Sequence, residues 1–226
     1  AVGRDVLPVL IDQEGGRVAR LKPPHWPKYP PAGVFADMAR GNMEAARQAV
    51  FLNARLIAHD LASLGITVNC APLADLPVPG SHNIIGDRAF GTSSEQVIAL
   101  ARAQAQGLMD GGIVPVLKHI PGHGRAGADS HEELPVVRES LETLRKTDFV
   151  PFTQLADLPM GMTAHVLYTA LDAERMATVS PAVIRLIREE IGFGGLLMSD
   201  DISMKAMKGG FAERARDALA AGCDVV

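Results

Sequence analysis

The stretch 113-IVPVLKH-119 decides how this chain folds. It is a short apolar run without polar alternation, as a strand buried on both faces requires, and it ends on two chemically active residues, Lys118 and His119. The same pattern recurs in 6-VLPVLID-12, 66-ITVNCAPLAD-75, 160-MGMTAHV-166 and 195-GLLMSDD-201, and 223-CDVV-226 opens a sixth run. Longer helical patterns separate these runs, and the alternation predicts βα units around a parallel sheet. Two architectures accommodate five or six such strands: a (β/α)8 barrel and an open doubly wound sheet. The polar residues discriminate between them. Every run carries its polar cluster at the C-terminal end: Asp12-Gln13-Glu14, Asp75, Lys118-His119, Thr163 with His165, and Ser199-Asp200-Asp201. In a barrel those ends share one mouth, whereas an open sheet concentrates binding at its switch point. The expected fold is therefore α/β, a TIM-like (β/α)8 barrel incomplete at both chain ends, with residues 1–226 forming one domain.

The helices have readable boundaries. Apolar residues from Ala46 to Leu64 follow a helical period from about Met43, with Asn53 as an exception and Gly65 as terminator. Ser93-Ser94-Glu95-Gln96 reads as a capping box before a helix that ends at Gly111-Gly112. Ser180-Pro181 places an N-cap before proline at the first helical position, and Gly192 closes that segment. The proline-rich 22-KPPHWPKYPP-31 reads as a loop, and no internal repeat is present.

Composition narrows the function classes. The chain has 226 residues, 47% of them apolar, and a net charge of −4 with dispersed basic residues, so nucleic acid and anionic membrane surfaces are disfavoured partners. No apolar run approaches the roughly 20 residues that span a bilayer. Cys70 and Cys223 end apolar runs far apart, as buried thiols in a reducing compartment do, and the expected location is cytoplasmic. Neither GxGxxG nor GxxxxGK[ST] occurs, so nucleotide binding is not supported.

The titratable residues point to acid/base chemistry. Side chains alternate along a strand, so Asp200 and Asp201 cannot both face the mouth if extended. Asp200 is the candidate nucleophile or base, and Asp201 an N-cap for the next segment. By the same rule Lys118 and His119 cannot both face the axis unless the strand ends there. Asp12 and Glu14, before Gly15-Gly16, could accept hydroxyl hydrogen bonds from a sugar or form ion pairs with Arg17 and Arg20. Arg88, between two glycine turns in 82-HNIIGDRAFG-91, taken alone reads as solvated or ion-paired. In 116-VLKHIPGHGRAGADSHEELP-135, a hydrogen bond from His131 to Asp129 would fix the tautomer of the imidazole and make its other nitrogen an acid/base group near neutral pH. His119, His123 and His131 with Asp200 also form an alternative set of zinc ligands, although Pro121-Gly122 denies the first two a shared helical face. His25, His59, His82 and His165 read as structural, with His165 the one placed to reach a site wall.

Four motifs, 11-IDQEGGRVARL-21, 86-GDRAFG-91, 118-KHIPGHGRAGADSH-131 and 199-SDDISM-204, resemble the glycoside hydrolase family 3 β-N-acetylhexosaminidases of the bacterial cell-wall recycling type. The resemblance spans nearly the whole chain. It implies a barrel that cleaves terminal N-acetylglucosamine from muropeptides with retention. Asp200 would be the nucleophile, His131 the acid/base and Asp129 its partner. Asp12, Arg20, Arg88, Lys118 and His119 would bind the terminal sugar. It implies a monomer needing no cofactor. It also implies further barrel strands beyond both ends of this chain. Glycines 122, 124 and 127 are expected to let the histidine loop close over substrate. With 4% aromatics, the candidates for stacking on sugar are Trp26, Tyr29, Phe90 and Tyr168. The alternatives are a family 3 β-glycosidase of other sugar specificity, a histidine-ligated metallohydrolase on the same barrel, and a sugar-binding protein without turnover.

Overall fold

A computed structural model describes residues 7–127 and 134–226. Strands β1 (Leu10–Ile11), β2 (Val68–Asn69), β3 (Val114–Ile120), β5 (Met160–Thr163) and β7 (Leu196–Met198) form one parallel sheet in that order. Between them come β4 (Val136–Val137) and β6 (Leu167–Tyr168), which pair with each other in parallel. Strand order follows chain order with no reversal, so the switch point of a doubly wound sheet is absent among the described residues. The last apolar run lies beside β7, where the Ser199 amide donates to the Val225 carbonyl and the Asp224 amide to the Leu197 carbonyl.

The paired strands are shorter than the apolar runs that contain them. In 66–75 only Val68 and Asn69 pair as a strand; beyond them the run stays beside β3 through the Ala71 and Pro72 carbonyls, which accept from the Val116 and Lys118 amides, and the isolated bridge of Leu73 to Lys118. Burial of the run continues through Asp75 although the ladder does not.

The helices are α1 (Ala32–Gly41), α2 (Met43–Ser63), α3 (Ser94–Asp110), α4 (Leu141–Lys146), α5 (Val150–Gln154), α6 (Pro181–Arg185, continued by one π-helical turn over Leu186–Glu190) and α7 (Phe211–Ala221). Ala46, Val50, Ala54, Ile57, Ala58 and Leu61 form the buried face of α2, against Leu108 and its neighbours on α3. A Cβ on Gly107 would lie 2.5 Å from the Phe51 carbonyl oxygen, so glycine is what lets α3 approach α2 this closely. Ser93 caps α3 by accepting from the Gln96 amide at 3.3 Å. The return half of the expected capping box does not form, because the Gln96 side chain donates instead to the Phe90 and Ala36 carbonyls. Ser180 caps α6 through the Val183 amide, with Pro181 at its first position.

Candidate active site

The ends of β1, β3 and β7 open on one cavity of about 730 Å³. Asp12, Arg20, Arg88, Lys118, His119 and Asp200 all line it, brought together from segments spread over most of the chain. Asp129 and His131 lie outside the described residues. The loop that leads to them leaves the cavity wall at His123.

Both Lys118 and His119 face the cavity, against the expectation that only one would. The register of β3 on β5 shifts between Leu117 and Ile120, and such an irregularity breaks strict alternation. The Lys118 ammonium, nearly inaccessible to solvent, pairs with Glu14 Oε1 at 2.6 Å and with Asp12 Oδ1 at 3.1 Å. Arg88 grips Glu14 with two parallel hydrogen bonds, Nε to Oε2 at 2.9 Å and Nη2 to Oε1 at 2.8 Å. Arg20 meets the other Asp12 oxygen at 3.1 Å. The result is an alternating chain of charge, Arg20–Asp12–Lys118–Glu14–Arg88. Burial pushes the Glu14 carboxyl up, but Lys118 and Arg88 outweigh it and hold the pKa down to about 2. Burial pushes Lys118 down, and Glu14 with Asp12 reverses the effect, leaving the ammonium above its ordinary value. Glu14 is thus a buried counter-ion and not the hydroxyl acceptor that its sequence position allowed.

The β1 turn is held from below. Gln13 is buried and exchanges hydrogen bonds with the Asn69 side chain at 3.0 Å each way, while its own amide oxygen accepts from the Arg20 and Leu21 amides. Gly15 and Gly16 have positive φ, and a Cβ on Gly15 would lie 2.3 Å from the Pro30 carbonyl oxygen, so the turn requires glycine.

Two of the five polar clusters stop short of the cavity. Asp75 lies behind His119, accepting from its Nδ1 at 2.7 Å and from the His123 amide at 2.6 Å. Burial raises the Asp75 carboxyl, but His119 and His123 lower it further. The ionised carboxylate makes His119 Nδ1 a donor, which leaves Nε2 to face the cavity. Thr163 and His165 both meet the Thr178 hydroxyl, and His165 lies close enough to Asp200 to act on its charge. His165 Nε2 is 3.1 Å from the Asp201 carbonyl and so donates to it, while Nδ1 meets the Thr178 hydroxyl at 2.7 Å. Burial, chiefly, holds the His165 pKa below the ordinary imidazole value. Sequence reasoning brings Asp75 and His165 to the shared mouth as strand-end polar residues but assigns neither a role toward His119 or Asp200. The available signal is a polar residue closing an apolar run, and Asn69 within the buried 66–75 run carries the same kind of signal.

Asp200 is buried, and its Oδ1 accepts from the Asp201 amide at 2.8 Å, which sets the rotation of the carboxylate. Burial pushes its pKa up, but His119, His165, the Asp201 amide and Lys118 bring it below the usual carboxylate range. Asp201 caps the following turn, its Oδ1 accepting from the Ser203 amide at 2.7 Å, as its N-cap reading anticipates. Cys70 also lines the cavity, and burial holds its thiol up at about 11. Both cysteines are buried free thiols.

Several expected contributors are elsewhere. Trp26, Tyr29, Phe90 and Tyr168 do not line this cavity. Tyr29 donates to Asp60, Tyr168 donates to the Gly122 carbonyl from full burial, and Phe90 belongs to the core, so none offers a face for sugar stacking there. His25, His59 and His82 are also outside it. Burial holds His123, edge-on to the His119 ring, down at about 4, and no group of three His, Cys, Asp or Glu side chains that could hold a metal occurs among the described residues.

The model for the glycosyl hydrolase family 3 N terminal domain matches residues 3–226. The chain belongs to glycosyl hydrolase family 3. Family 3 relatives include the beta-hexosaminidase of Alkalilimnicola ehrlichii, 39% identical over 230 residues that cover 100% of this chain and 66% of the relative. That of Methylococcus capsulatus is 40% identical over 223 residues, covering 96% and 65%. The chain thus spans just under two thirds of the length of these relatives. Among solved structures, NagZ from Neisseria gonorrhoeae in complex with N-trifluoroacetyl-D-glucosamine has a TM-score of 0.89 at 35% identity, covering 97% of this chain and 64% of that one. A family 3 beta-N-acetylglucosaminidase from Paenibacillus has a TM-score of 0.87 at 35% identity, covering 97% and 42%. No helix among the described residues is long and apolar enough to cross a membrane.

Proposed function

We propose that this chain is the catalytic domain, spanning residues 1–226, of a retaining exo-β-N-acetylglucosaminidase acting on muropeptides in the cytoplasm as a monomer, and that its sheet is part of a (β/α)8 barrel. The observation that carries the reading is the position of Asp200, a buried carboxylate held ionised in a cavity shared with the alternating charges of Asp12, Arg20, Arg88 and Lys118. A nucleophile needs that ionised state, and a polar sugar needs donors and acceptors fixed in advance. The beta-hexosaminidase relatives and the amino-sugar ligand of the Neisseria protein support the substrate class. The unreversed order of the parallel strands supports the barrel.

In the first half-reaction Asp200 attacks the anomeric carbon and the glycosidic bond breaks, forming a glycosyl ester. His131, partnered by Asp129, gives its proton to the departing oxygen. In the second it takes a proton from water, which displaces Asp200. Asp12, Arg20, Arg88, Lys118 and His119 hold the sugar hydroxyls. Hydrolysis of an aryl β-N-acetylglucosaminide and of the matching β-glucoside by the intact protein tests this. The amino sugar should be the better substrate, and Asp200→Asn should lose about three orders of magnitude in kcat. Undiminished rates in both Asp200→Asn and His131→Ala would defeat the mechanism, and preference for the glucoside would reassign the sugar.

A further inference from the structure

Lys118 and Arg88 reach the cavity from different segments, and one carboxylate that does not line it holds both. Glu14 Oε1 receives Lys118 Nζ and Arg88 Nη2, and Oε2 receives Arg88 Nε, so both oxygens are committed to cations one layer behind the cavity wall. We propose that Glu14 is a positioning residue of the sugar site: it aims the Lys118 ammonium and the Arg88 guanidinium and lets two buried cations share one wall, so that their remaining N–H groups meet the substrate. This deepens the proposed N-acetylglucosaminidase reading and rests on it.

Donor inventory supports the role. An ammonium has three N–H groups, and Glu14 and Asp12 take two, leaving one for a ligand. A guanidinium has five; Glu14 takes two and the Ile84 carbonyl a third, leaving two. The directions of the remaining donors are set by the fork that Glu14 imposes. Lys118 is faced by Glu14, Asp12, Arg88 and Cys70, and it also acts on Asp200. With Glu14 neutral, burial and Arg88 both oppose the ammonium, with Asp12 as the nearest remaining carboxylate.

The test compares the intact wild-type protein with Glu14→Gln and Glu14→Asp, reading Lys118 by carbon NMR of its ε-methylene and reading kcat and KM against pH with an aryl β-N-acetylglucosaminide. In Glu14→Gln the Lys118 titration should fall to lower pH, while KM at neutral pH rises about tenfold or more, as expected for losing a charge-assisted hydrogen bond. Glu14→Asp retains the charge but shortens the reach, so KM should rise with kcat nearly kept. An unmoved Lys118 titration in Glu14→Gln, or an unchanged KM in Glu14→Asp, overturns the inference. The aspartate variant decides alone if the glutamine variant does not fold. A wild-type protein inactive on the amino sugar defeats the proposed function, whereas an active wild type with indifferent variants defeats this inference alone.

Discussion

Glu14 also links the site to stability. Its folded pKa, about 2, lies below the ordinary 4.5, so the ion pairs stabilise the fold fully above about pH 4.5, and that contribution is lost as pH falls through about 2. The size is on the order of 3 kcal/mol. The difference in unfolding free energy between wild type and Glu14→Gln should therefore be level from about pH 5 to 8 and shrink between about 4.5 and 2, as measured by urea titration. A difference that stays level through the acid window would remove the linkage. Asp75 offers a second test at this scale. Asp75→Asn removes the anion that orients His119, and kcat/KM should fall roughly 10- to 100-fold with far-UV circular dichroism unchanged; an unaffected kcat/KM would leave Asp75 without a role in the site. Asp12, Lys118, His119 and Asp200 are legible in the sequence because each stands at the end of an apolar run. Glu14, Asp75 and His165 act through partners 74, 44 and 36 positions away, which spacing alone does not reveal.

At the scale of elements, the start of the loop after β3 is tied to its neighbours at two of the three glycines expected to let it close, Gly122 and Gly124. A Cβ on Gly124 would lie 2.0 Å from the Leu76 carbonyl oxygen, so this glycine serves close packing, while Gly122 has a φ of 140° that favours glycine and its carbonyl accepts from buried Tyr168. Arg125 is tied to Asp148 at 2.7 Å, and the Ala126 carbonyl accepts from the His82 amide. Of the three, Gly127 alone would put a Cβ within 4 Å of nothing among the described residues. Gly124→Ala should accordingly destabilise by about 2 kcal/mol or more, because backbone must move, while Gly127→Ala should stay within about 0.5 kcal/mol. Equal melting temperatures for the two variants would refute the assignment. Helices α2, α3 and α6 are readable because α2 carries a helical period closed by Gly65, and α3 and α6 open on serine caps and close at glycines. The start of α1 has no side-chain cap at Pro31, which removes the usual signal, whereas Ser140 before α4 does accept from Thr143 and offers one. Strands β4 and β6 are two residues each, too short for any period to register.

At the scale of the molecule, the unreversed sheet sets the C-terminal ends of β1, β3 and β7 around one cavity, so no single segment contains the site. The apolar runs and their terminal polar residues make the parallel α/β class legible. They cannot show that only three of the five polar clusters face the cavity, because the depth of a side chain depends on what packs in front of it, as His119 does on Asp75. A site divided among strand ends couples binding to the stability of all of them. For a ligand that binds only the folded state, about 100 times its Kd adds about 2.7 kcal/mol. N-acetylglucosamine at that concentration should raise the Tm of the intact protein by roughly 4 °C or more. Hydrogen exchange should slow together near Asp12, Lys118 and Ser199, since releasing any one of these strand ends dismantles the shared cavity. Protection confined to a single strand end, or a Tm indifferent to the sugar, would mean that the cavity is not read by the ligand as one site.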